Sequence, residues 1–172
     1  MTTLFTTAEV RNAIELLASR SLIRLVTEID DNGAIPPRRL AATLPDLSAH
    51  QLRRTTATAR AHGLVRNTPG TGLELTHAGS ELADLYDATA RWSRRHAYPV
   101  PVCEFSNRIR YVLDLLTPSL ATESTDSPAR LSATRLPSIE AEADLAHPRA
   151  LLLHWLAGNP QLTRVSEPDP VT

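Results

Sequence analysis

Apolar residues recur three and four positions apart along most of the chain. Val10, Ala13, Ile14 and Leu17 form the first such stripe. Thr6-Thr7-Ala8-Glu9 ahead of it has capping-box spacing, in which a hydroxyl and a carboxylate three residues apart satisfy each other's backbone N–H. Leu22, Leu25, Val26 and Ile29 make a second stripe, closed by Asp30-Asp31-Asn32-Gly33. Pro36-Pro37 starts a short helix over 38–43 that buries Leu40, and Leu44-Pro45-Asp46 breaks it. Ser48-Ala49-His50-Gln51 repeats the capping-box spacing and opens a helix through Ala61, with Gly63 where a left-handed C-cap belongs.

The helical period then lapses. Two short apolar stretches, Leu64-Val65 and Leu73-Glu74-Leu75, flank a segment containing Pro69-Gly70, which predicts a hairpin. Thr76 caps a long helix to about His96, with Leu82, Leu85, Tyr86, Thr89 and Trp92 on one stripe. Further helices are expected over 104–116, on Phe105, Ile109, Val112, Leu113 and Leu116, and over 148–157, on Leu151, Leu152, Trp155 and Leu156. Prolines mark His96 to Pro101 as a linker, the Ser/Thr/Pro-rich stretch 117–137 as loop, and the tail from Asn159 as frayed. The order between Leu22 and Leu75 is helix, short helix, tight turn, capped helix, hairpin. The expected fold is therefore mainly α: a winged helix-turn-helix with a small two-stranded β-wing and additional C-terminal helices. Its expected divisions are a DNA-binding unit over 1–96, a linker and helix over 97–116 with a dimerisation role, and a loop-rich extension over 117–172 with one or two short helices.

Composition narrows the function. The 172 residues are 42% apolar and 22% charged, enough for one globular domain with some chain to spare. No run of about 18 apolar residues exists to span a membrane, and Met1 to Glu9 lack the basic and apolar regions of a leader. The single cysteine, Cys103, excludes an internal disulfide and a multi-cysteine zinc site, so a cytoplasmic protein is expected. Net charge is −1, yet all 18 basic residues are arginine, the mark of a GC-rich genome. From Gly33 to Leu75, six arginines (38, 39, 53, 54, 60 and 66) face two acids, Asp46 and Glu74, a local excess of four positive charges. Guanidinium forks suit phosphates and guanine edges.

A helix N-terminus offers phosphate its free N–H groups, and side chains in its first turns reach base edges. At 100° per residue, with Leu52, Thr56 and Ala59 inward, His50, Arg54, Ala57 and Ala61 point outward and Gln51 and Arg53 lie at the flanks. The candidate DNA-contacting residues are accordingly Arg38, Arg39, Ser48, His50, Gln51, Arg53, Arg54, Arg66 and Thr71. His50, Gln51 and Arg54 would choose bases, and the other arginines would hold phosphates. Leu44-Pro45-Asp46-Leu47-Ser48, Gly63-Leu64-Val65-Arg66, Leu75-Thr76-x-x-Gly79 and Trp92 resemble the HxlR-type winged helix regulators, with MarR- and PadR-like relatives close behind. The resemblance covers about residues 8–96. It implies a bacterial transcription regulator, a homodimer on a pseudo-palindromic operator, with the N-terminal helix, the long helix over 77–96 and the 104–116 helix pairing across the two-fold axis. Its recognition helices would lie about 34–36 Å apart. Ser21 stands near the family's usual tryptophan, the wing is shorter, and Cys103 falls after the winged helix, so redox sensing is not implied.

No Walker loop, GxGxxG or HExxH motif is present, and neither an enzyme nor a cofactor is expected. His147 and His154 are two helical turns apart, too far to share a metal. Asp30-Asp31 and Glu140-x-Glu142-x-Asp144 read as solvated carboxylates. Arg108, Arg110 and Tyr111 are candidates to hold a small aromatic or anionic effector. The expected partners are double-stranded DNA and a second copy of the chain. The competing expectation is a winged helix used only for protein contact.

Overall fold

In a computed structural model, which describes residues 5–120 and 137–163, hydroxyl caps set the starts of several helices. Thr6 and Glu9 form the capping box of α1 (Thr7–Leu17). Ser48 and Gln51 form that of α4 (Ala49–Ala61). Thr76 caps α5 (His77–Arg95) by accepting from the Gly79 N–H at 3.2 Å. Between them lie α2 (Arg20–Asn32), a 3₁₀ turn (Pro37–Arg39), the one-turn helix α3 (Leu40–Thr43), and two strands, β1 (Val65–Thr68) and β2 (Gly72–Leu75). The described part of the chain is mainly helical with a small two-stranded antiparallel sheet.

The strands are longer than Leu64-Val65 and Leu73–Leu75 suggested, and only Pro69, Gly70 and Thr71 lie between them. Their register places Val65 opposite Leu75 and Arg66 opposite Glu74. Ile35 adds an isolated antiparallel bridge to Leu73, with both N–H···O bonds at 2.9 Å. The main chain passes so close there that a Cβ on Gly72 would lie 2.5 Å from the Ile35 oxygen. Gly79 meets a similar constraint: a Cβ would lie 2.1 Å from the Leu64 oxygen. The Leu75-Thr76-x-x-Gly79 pattern therefore has a physical content, a cap followed by a close approach of helix to hairpin.

Helix α5 is the hub. Leu82, Leu85, Tyr86, Ala90 and Trp92 are buried, and it packs against α2 and against the later helices α6 (Phe105–Leu120) and α8 (Ala146–Gly158). The Tyr86 hydroxyl donates to the Leu17 carbonyl at 2.7 Å, tying α5 to the end of α1. Helix α6 (Phe105–Leu120) outruns the expected end at Leu116, passing through Pro118 so that Leu120 closes on the core.

The C-terminal segment joins the same core. Two short helices lie in this segment: α7 (Ile139–Asp144), which the sequence reading did not place, and α8 (Ala146–Gly158). Trp92 Nε1 donates to the Ala141 carbonyl at 3.0 Å, and Trp155 Nε1 to the Ala78 carbonyl at 2.9 Å. The tail does not fray at Asn159. Asn159, Leu162 and Thr163 are buried, and Pro160–Leu162 form a 3₁₀ turn. Most of the expected 117–137 loop lies outside the described residues. No described helix is long and apolar enough to cross a membrane.

Candidate nucleic-acid interface

The α3–α4 turn is held from behind by an ion cluster. Arg24 forks onto Asp46, with Nε to Oδ2 at 3.0 Å and Nη2 to Oδ1 at 3.2 Å. Arg20 reaches the same carboxylate at 3.4 Å and Glu104 at 3.4 Å. The Arg24 hydrogen bonds hold the Asp46 carboxyl below its ordinary pKa. The turn that carries the start of α4 is thus fixed to α2. At its other end α4 stops in a Schellman arrangement. Gly63, at φ +68°, lets its own N–H reach Arg60 O and the Leu64 N–H reach Ala59 O, at 2.9 and 2.8 Å.

Along α4, Leu52, Thr55, Thr56 and Ala59 face inward, while His50, Arg53, Arg54, Ala57 and Ala61 are exposed. Gln51 is exposed as a residue, but its side-chain oxygen accepts from the Ser48 N–H at 2.8 Å. In this conformation the cap holds the group expected to choose a base, and the Ser48 Oγ accepts from the Gln51 N–H at 3.2 Å. Arg54, His50 and Gln51 border a cleft toward α1 and the start of α2, whereas Arg53 borders the opposite groove toward α3.

Arg38 and Arg39 are exposed in the 3₁₀ turn. Among the described residues, Arg38, Arg39, Arg53, Arg54 and Arg60 have no carboxylate within ion-pair distance. Arg66 differs: its Nε lies 2.6 Å from Glu74 Oε1, directly across the hairpin. Thr68 donates to the same oxygen, and these two hydrogen bonds, the hydroxyl's first, lower the Glu74 pKa. Thr71 is exposed in the loop, its N–H bonded to Thr68 O at 3.1 Å. Both acids of the 33–75 segment are therefore spent on local pairs, and the arginines around α3 and α4 keep an uncompensated field. Such a surface attracts polyanions and offers planar forks to phosphate.

Arg60 is the residue the sequence reading left out, counted in the charge excess but given no role. It stands seven positions after Arg53 on the same helix face, a spacing legible in the sequence. The effector candidates part company. Arg108 is buried, and its guanidinium donates to the carbonyls of Cys103 and Pro101 and to Ser93 Oγ, which fixes the loop after α5. Arg110 borders a groove between α1 and α6, and Tyr111 is exposed. Glu142 and Asp144 are not bare solvated carboxylates, since Glu142 pairs with Arg149 and Asp144 with Arg95 and His96. Among the described residues no cluster of histidine, cysteine and carboxylate could hold a metal.

The apolar faces of α1, α5 and α6, expected to pair across a two-fold axis, are covered within one chain. Val100, Val102 and Tyr111 remain exposed on the linker and α6. Compared with known proteins, the chain matches no protein family, no curated protein and no solved structure.

Proposed function

We propose that the protein is a DNA-binding transcription regulator in which α2, α3 and α4 act as a helix-turn-helix and the β1–β2 hairpin as its wing. In this reading α4 is the recognition helix and enters the major groove by its first two turns. The carrying observation is the set of exposed arginines around α3 and α4 that have no carboxylate within ion-pair distance among the described residues, in a chain whose net charge is −1. The bridge from Ile35 to the hairpin and the HxlR-type sequence pattern support the same reading.

Arg38 and Arg39 would bind phosphates, and His50, Arg53 and Arg54 would face bases. Gln51 would contribute to α4's start instead of to base choice, and Arg66 would shape the wing through Glu74. The active form would be a homodimer on a pseudo-palindromic site, joined through surface other than the apolar faces already covered. The rival reading is a protein-contact module on the same fold.

Fluorescence anisotropy of the full chain on DNA from upstream of its own gene, against a random duplex and at two salt concentrations, tests the proposal. Specific binding that weakens with salt is expected. Arg53→Ala and Arg54→Ala should each weaken specific binding by about 1–3 kcal/mol, whereas Arg38→Ala should weaken all sequences alike and lower the salt slope by about one. No binding by the folded protein to either duplex at low salt would leave the protein-contact module.

A further inference from the structure

Arg20, the first residue of α2, divides one guanidinium between two distant parts of the chain. Its Nη2 lies 3.4 Å from Asp46 Oδ2 and its Nε 3.4 Å from Glu104 Oε1. Asp46 stands in the turn ahead of α4, two residues before the Ser48 cap. Glu104 closes the linker, immediately before α6. Each carboxylate is fixed from its own side. On the turn, Arg24 forks onto Asp46 at 3.0 and 3.2 Å, and the Leu47 N–H reaches the Leu44 carbonyl at 3.1 Å. On the linker, the Glu104 carbonyl accepts from the Arg108 N–H at 3.0 Å. The buried Arg108 guanidinium grips the Pro101 and Cys103 carbonyls at 3.0 and 3.1 Å and Ser93 Oγ at 3.3 Å. A run of links thus leads from Ser93 on α5, through the linker and Arg20, to the turn ahead of α4. The two Arg20 contacts are the longest in it, and the Arg20 side chain is 44% exposed. Among the described residues Glu104 has no other cation within ion-pair distance, whereas Asp46 keeps Arg24. Arg20 is therefore the joint at which the run lengthens or shortens.

We propose that Arg20 is a positioning residue for the turn that starts α4, making the placement of that turn depend on where the linker sets Glu104. The guanidinium offers a separate nitrogen to each carboxylate, where an ammonium offers one nitrogen for both. Contacts between half-exposed charges add little to global stability, so the effect is on placement. With Glu104 in reach, Arg20 is shared and its hold on Asp46 is long. With Glu104 withdrawn, Arg20 turns wholly to Asp46 and draws the turn toward α2. A shift of the start of α6 relative to α2 is thereby felt at the first turn of α4. That this turn carries a recognition helix rests on the DNA reading; the link from Glu104 to the turn does not.

Two variants test this without changing any charge. Glu104→Asp shortens the reach by one methylene, and Arg20→Lys removes the second nitrogen. Amide resonances of the ¹⁵N-labelled full chain are compared for the natural chain, each variant and the double variant. Glu104→Asp is expected to shift Asp46, Leu47 and Ser48, on the far side of Arg20. That shift is expected to vanish when residue 20 is already lysine, the non-additivity of a shared contact. No shift at the turn in Glu104→Asp, or a shift that persists in full in the double variant and so acts through space, would overturn the proposal. On DNA, each single variant should change the ratio of specific to random-duplex affinity about two- to fivefold, the size of an exposed ion pair, with the salt slope unchanged. If the resonances behave as expected but that ratio stays the same, Arg20 is a structural contact only and its positioning role is overturned. If they behave as expected and the protein binds neither duplex, the link to the turn stands and the DNA reading falls.

Discussion

Ala97 occupies a position that ordinarily belongs to glycine. It follows α5 at φ +48°, with its N–H bonded to Arg94 O and the Tyr98 N–H to Ser93 O, the paired bonds of a Schellman end. A Cβ in the left-handed region costs roughly 1–2 kcal/mol, partly offset by glycine's greater freedom when unfolded. Ala97→Gly should therefore stabilise the fold by about 0.5–1 kcal/mol, read as a rise in the urea midpoint with unchanged slope. Gly79 poses the opposite case. A methyl group there meets the Leu64 carbonyl, a backbone atom that cannot swing aside. Gly79→Ala should cost about 1–3 kcal/mol by the same measurement, although alanine favours helix at an unconstrained site. Tyr86→Phe keeps the ring but orphans the Leu17 carbonyl, and a loss of about 1–2 kcal/mol is expected.

At the scale of elements, what could be read in the sequence is what the chain decides over three or four residues. The caps at Thr6, Ser48 and Thr76, the left-handed Gly63 and the Pro69-Gly70 turn are local hydrogen-bond arrangements, and the structure has all of them. The partners that change the meaning of the candidate site come from elsewhere in the chain. Arg66 finds Glu74 only through strand register, and Asp46 finds Arg24 only when α2 packs beneath the turn. Helix α7 is six residues long; Ser138 caps it locally, but it is held by Trp92 and by Asp144, so its own period carried little signal. The Asp46 cluster also carries a pH dependence. A carboxyl whose folded pKa is lowered adds stability above its unfolded pKa of about 3.9, and that stability is lost as pH falls through the lower folded value. Thermal unfolding followed from pH 5 to pH 2 should therefore show a shallower decline in Asp46→Asn than in the natural chain. At neutral pH the substitution should cost about 1 kcal/mol or less, the scale of a partly exposed ion pair.

For the whole molecule, the decisive feature is that the segment after residue 137 completes the core of the part before residue 96. Leu152, Trp155 and Leu156 are buried, and α8 packs against α5, which in turn packs against α2. Trp155→Ala should cost about 3–5 kcal/mol, and the loss should appear as one cooperative transition by circular dichroism. Two separate transitions would show that the C-terminal helices unfold on their own. Both tryptophans of the chain lie in that seam, each buried with its indole N–H on a carbonyl, and neither is on α4. The protein's intrinsic emission is consequently a gauge of whether the C-terminal helices stay docked. It should redden when they detach and stay dark to anything that merely touches the arginine face, so a nucleic acid that alters it would be reporting motion transmitted through α5.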